Sequence, residues 1–170
     1  MEATLIIAII LSTLMTYVVY SDLRFYIIPN WLCGAVIALY PVMLLLTPEI
    51  VDWLDGLMFL GIMFTVGLLI FTLNWMGGGD VKLLAALALW TGWEGAGKEF
   101  LIYTVLFGGV LSLLLLLLRF ILPMVLAQFM YKPIILPSVV SHGKPVPYGV
   151  AIAAAFLLLL WKEFIPGVVL

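Results

Sequence analysis

Six apolar runs, at 3–20, 31–47, 56–75, 80–93, 100–119 and 147–161, make up most of this 170-residue chain and hold almost no charge between their ends. A hydrocarbon core about 30 Å thick takes roughly 17 to 25 helical residues to cross, so four runs have spanning length and the fourth and sixth are short. Unbroken apolar runs of this size read as helices, which satisfy their own backbone groups inside lipid. With 66% hydrophobic and 9% charged residues, the chain cannot hide its apolar surface by folding alone, and a water-soluble domain is excluded. The expectation is an all-α polytopic membrane protein of about six transmembrane helices, one domain over 1–170 with no large soluble insertion. The first run has no basic region before it, and Tyr20-Ser21-Asp22 is a poor cleavage site, so it is expected to stay in the mature protein as a helix.

The few charges sort by side. The connections 21–30, 76–82 and 119–146 hold Arg24, Lys82, Arg119, Lys132 and Lys144, with Asp22 and Asp80 as their only acids. The opposite ends hold Lys98 and Lys162 against Glu2, Glu49, Asp52, Asp55, Glu94, Glu99 and Glu163. Basic residues in short loops mark the cytoplasmic side, which places both termini on the extracytoplasmic side. Trp31, Trp53, Trp75, Trp90, Trp93 and Trp161 all fall near span ends, as an interfacial belt requires. Phe120 to Tyr131 is apolar but too short to cross and contains Pro123, which predicts a separate helix in the cytoplasmic interface. Lys132 to Pro147, rich in proline, predicts a non-helical loop. No basic patch points to nucleic acid. The single cysteine, Cys33, excludes an intrachain disulfide and a zinc site of several thiolates.

Chemistry concentrates at the two cytoplasmic-side acids. Gly77-Gly78-Gly79-Asp80 opens a run of only thirteen further residues to Trp93, about 20 Å of helix, which recesses Asp80 below the surface. Non-helical backbone at that depth is tolerated where it is buried in protein or lines a wet cavity. Asp22 follows an eighteen-residue run, about 27 Å of helix, so the two depths differ by several ångströms and contact does not follow from sequence. Asp80 also fits a helix N-cap, and Asp22 an ordinary loop acid beside Arg24. Ionisable residues in spans are functional by default, however. Two carboxylates sharing a desolvated site cannot both ionise easily, so such a pair holds one proton near neutrality and supplies a base beside an acid. That combination hydrolyses amides without a covalent nucleophile, metal or cofactor. His142, the one histidine, lies in a proline-rich loop beside Ser141, which does not read as part of a triad.

At these residues the chain resembles the type IV prepilin peptidases, membrane aspartyl proteases with a G-x-G-D motif. Gly77-Gly78-Gly79-Asp80 with Val81-Lys82-Leu83-Leu84-Ala85 is similar to the family's second aspartate motif. Asp22-Leu23-Arg24 and then Ile28-Pro29-Asn30-Trp31-Leu32 is similar to its first, and Pro147-Tyr148-Gly149-Val150-Ala151 to its late P-Y-G segment. The resemblance implies a multi-pass enzyme of the inner (cytoplasmic) membrane that removes a short leader from prepilins or pseudopilins. Cleavage would follow a glycine at the cytoplasmic face, with Asp22 and Asp80 as the catalytic pair and Gly77, Gly78 and Gly79 as active-site motif. Arg24 and Lys82 are candidates for attracting an acidic group of the preprotein or tuning the pair, though both also satisfy the charge rule for the inner side. Pro147, Tyr148 and Gly149 are candidates for lining the site.

Two departures narrow the reading. The chain has neither the methyltransferase insertion nor the paired C-x-x-C motifs of the larger bifunctional members, which implies a peptidase only, similar in size to the short enzymes of tight-adherence (Flp-type) pili. Presenilin-like proteases carry a Tyr-Asp pair and a P-A-L motif that Tyr20-Ser21-Asp22 and Pro145-Val146-Pro147 do not match. Two other functions stay open: a proton or cation pathway using the intramembrane acids, and a non-catalytic assembly scaffold. Oligomeric state is not legible.

Overall fold

A computed structural model describes residues 2–46, 52–129 and 145–162. Its helices are α1 (Glu2–Phe25), α2 (Asn30–Leu46), α3 (Trp53–Thr72), α4 (Gly78–Thr91), α5 (Lys98–Phe129) and α6 (Tyr148–Trp161), with a π-helical turn at Gly92–Gly97 between α4 and α5. No strand occurs among the described residues. Among the described residues, three helical stretches are long and apolar enough to cross a membrane, Thr4–Phe25, Trp53–Thr72 and Gly78–Met124, and α2 and α6 are shorter apolar helices. The longest stretch is bent: Gly95 leaves helical geometry (φ −81°, ψ −124°), which separates α4 from α5.

The interior is built on α4. Ten of its fourteen residues are buried, and its alanines, with Ala151, Ala153 and Ala155 of α6, let neighbouring backbones approach closely, as small residues do between membrane helices. Gly56 and Gly67 of α3 serve the same end: added Cβ atoms would lie 2.5 Å from the Leu89 carbonyl oxygen and 2.7 Å from Val81 Cγ1. α4 thus packs against α3 on one side, and α2 and α6 cover others. Outward faces stay apolar, with Leu69 and Val105 widely exposed, a surface suited to lipid rather than water.

Several boundaries differ from the sequence expectation. α1 runs past residue 20 to Phe25, so Asp22 is a helical residue near the end of its span rather than a loop acid. It stops where Tyr26 takes a left-handed backbone (φ 56°) and donates its N–H to the Asp22 carbonyl at 3.0 Å. Ser21 Oγ donates to the Ile27 carbonyl at 2.6 Å and holds the turn that follows. α5 continues through Pro123 to Phe129 as one helix of 32 residues; the separate interfacial helix expected from Phe120 is therefore not formed over those residues. Tryptophan exposure fits an interfacial belt at five positions, but Trp90 is buried and donates Nε1–H to the Val36 carbonyl at 3.0 Å, tying α4 to α2. Residues 130–144, with Lys132, His142 and Lys144, lie outside the described residues.

Candidate active site

Three stretches far apart in sequence meet at one end of the helices, and Ile28 is their wedge. Its buried side chain fills the space that side chains at Gly79 and Gly149 would otherwise take: a Cβ on Gly79 would lie 3.1 Å from Ile28 Cβ, and one on Gly149 2.7 Å from Ile28 Cδ1. Glycine at both positions lets α4 and the start of α6 close on the turn after α1. The geometry gives a packing reason for these glycines.

Around that wedge stand the two carboxylates. Asp22, on the last turns of α1, is 4% exposed. It faces the first turn of α6, where the backbone amides of Gly149 and Val150 approach it. α6 begins on Pro147, which supplies no capping side chain; the Val150 amide also donates to the Pro147 carbonyl at 3.3 Å, and the positive end of the helix is left to face an anion. Neither amide lines up on Oδ2, which is buried without a hydrogen-bond partner. An acceptor or proton carrier left unsatisfied in this way costs stability unless something visits it.

Asp80 is half-buried in the first turn of α4. The helix N-cap is Gly77, so Asp80 is not the capping residue. Its carboxyl group folds back on the cap instead, close to the amide of Gly77, and a Cβ at Gly77 would lie 2.9 Å from Oδ2. The Gly149 amide approaches this carboxyl group too, and the negative charge of Asp22 lies near enough to act on it. Both acids line one pocket of about 510 Å³, large enough for a short extended segment of a peptide.

Sequence reasoning reached part of that pocket's wall. Gly77 and Tyr148 line it. Gly149 lies against Asp22, Gly79 packs on Ile28, and a Cβ on Gly78 would lie 3.5 Å from the Phe71 ring. Pro147 is buried at the start of α6. Two candidates are elsewhere. Arg24 is exposed, with its guanidinium 5.7 Å from the centre of the Phe25 ring. Lys82 donates to Asn30 Oδ1 at 2.9 Å and lines a different cleft.

Missed were Tyr26, Phe71, Asn74, Trp75, Met76, Pro145 and Val146, which complete the wall. Asn74 carried a signal: a lone amide at the end of an apolar run marks a chain reversal, and here it adopts φ 58°. The hydroxyl of Tyr26 is buried without a partner. Arg119 Nη2 donates to the Pro145 carbonyl at 3.2 Å, fastening α5 to the segment that leads into α6. Among the described residues, no group of three or more His, Cys, Asp or Glu side chains converges to hold a metal ion.

Comparison with protein families gives a match to the type IV leader peptidase family over residues 9–117, a stretch that contains both aspartates. No curated protein and no solved structure matches the chain.

Proposed function

The chain belongs to the type IV leader peptidase family, and we propose that it is an aspartic endopeptidase that uses Asp22 and Asp80 to remove the leader of type IV prepilins or pseudopilins. The observation that carries this reading is the convergence of the two carboxylates, 58 positions apart, on one pocket and one backbone amide, that of Gly149. In the scheme, one carboxylate takes a proton from water as the oxygen attacks the scissile carbonyl. Its protonated partner donates to the carbonyl oxygen as that oxygen gains charge. Collapse of the tetrahedral species returns the carbonyl, breaks the C–N bond, and passes a proton from the dyad to the leaving amine. Water supplies the new hydroxyl, and no covalent enzyme intermediate forms.

Gly77 contributes access. With no side chain at Gly77, which lines the pocket, an extended substrate backbone can lie against the carboxylates, and the first turn of α6 offers N–H groups near the charge. The leader would enter from the cytoplasmic face of the cell membrane, in a protein with six spans and both termini outside, forming one peptidase domain over 1–170. Charge sorting supports that orientation, because the dyad lies at the end that carries most of the bases. The substrates favoured are those of tight-adherence pili, on the resemblance to the short family members. Co-expression with a prepilin tests the reading: wild type should yield processed pilin, and Asp22→Asn or Asp80→Asn should yield only the precursor at equal enzyme abundance.

A further inference from the structure

A second cleft lies on the other side of α4. α2 and α3 both pack on α4 but scarcely on each other, and the gap between them is an open groove of about 440 Å³. Its walls are Ile37 of α2 and Leu60 and Phe64 of α3, and Ala85 is its floor. Where the groove reaches the dyad's end of the helices, Lys82 and Asn30 form its rim. An α-helix turns about 100° per residue, so Lys82 projects roughly opposite to Asp80, two positions away. A peptide seated at the dyad does not reach this rim without crossing α4.

We propose that this groove binds one anionic phospholipid, with an acyl chain between α2 and α3 and the headgroup phosphate on Lys82 and Asn30. Three features support that occupant. The groove faces outward from the helices among exposed apolar residues such as Ile37 and Phe64, where lipid chains are the surrounding medium. Lys82 is exposed, bonds only the neutral Asn30 side chain, and has no carboxylate partner among the described residues, so its charge is available to an anion. Basic clefts between membrane helices near the bilayer surface are the places where anionic headgroups are held. From Asn30 to Ile37 the groove descends about 10 Å along α2, so a lipid bound at the rim lays its chain along the groove. The inference does not depend on the peptidase reading, since neither aspartate takes part.

Native mass spectrometry of the purified full chain in detergent tests it, with phosphatidylglycerol and phosphatidylcholine of identical chains added in equal amounts. Wild type should retain phosphatidylglycerol preferentially. Lys82→Gln should reduce that preference about fivefold, the effect of one near-surface cation, and Lys82→Arg should keep it. Gly34→Leu projects into open space, with nothing within 4 Å of its Cβ, and should reduce retention of both lipids by obstructing the groove. No headgroup preference in wild type, or the same preference in Lys82→Gln, overturns the proposal. So does competition by glycerol 3-phosphate that Gly34→Leu leaves unchanged, which would make this a phosphate contact without a chain. Displacement of the lipid by a soluble acidic prepilin peptide, or a dimer that Gly34→Leu dissolves, would assign the groove to another occupant and equally overturn it.

Discussion

Gly149 stands against Asp22: a Cβ on it would lie 2.8 Å from Oδ2 and 3.2 Å from Cγ of the carboxyl group. The late glycine and the first aspartate, 127 positions apart, therefore depend on each other's geometry.

Gly149→Ala should displace the Asp22 carboxyl group or push α6 away from it. A misplacement near 1 Å costs roughly 100-fold in rate, so leader cleavage should fall by about that factor while the protein still accumulates in the membrane. Single-turnover rates with a prepilin peptide, set beside abundance by immunoblot, measure both. A Gly149→Ala enzyme at the wild-type rate would show that the contact does not constrain the carboxyl group.

The α3–α4 seam separates glycines that pack from glycines that do not. Gly56→Ala drives a Cβ into the Leu89 carbonyl oxygen at 2.5 Å and the Tyr40 hydroxyl at 2.8 Å, and overpacking of this kind costs about 1–3 kcal/mol. Gly61 meets nothing within 4 Å, and alanine in an open helical position should be stabilising by about 0.5–1 kcal/mol. Unfolding in a mixed-detergent titration should move in opposite directions for the two variants.

Arg119 acts on the site at a distance. Its bond to the Pro145 carbonyl holds the strand of chain that delivers Pro147, Tyr148 and Gly149 to the dyad. Arg119→Gln should lower cleavage roughly tenfold, the low end of what one hydrogen bond to a charged group contributes, with little change in unfolding midpoint. Turnover and thermal unfolding measured on one preparation separate this from a general loss of structure.

The helices were legible because apolar run length and flanking charge are dictated by the bilayer, and the short α4 and α6 could be read from the same counting. Their ends were less legible. Asp22 is polar, which argued for ending α1 before it, but a partly desolvated acid facing the α6 amides is tolerated inside a helix, and only tertiary structure supplies those amides. The Pro123 position was misread for a related reason: a proline in a membrane helix does not end it when the freed backbone groups find other partners. At the site, Asp22, Asp80 and Gly149 stood out as motif residues, and Tyr26, Asn74 and Met76 did not, because a pocket wall made by a turn carries no periodicity. Lys82 stands two positions from Asp80, a separation that points side chains on a helix to nearly opposite faces, so adjacency in the motif does not make it a wall of the same pocket.

If Asp22 and Asp80 together perform hydrolysis, the mass of the product formed when purified protein in lipid-containing detergent is mixed with a full-length prepilin reports it. Wild type should release a leader ending in glycine and a mature chain beginning at the next residue. Asp22→Asn and Asp80→Asn should each leave the precursor mass unchanged over the time in which wild type completes processing, a loss of about 10²–10⁴-fold as expected when one half of an acid–base pair is removed. Complete processing by either variant would show that hydrolysis does not need the pair of carboxylates.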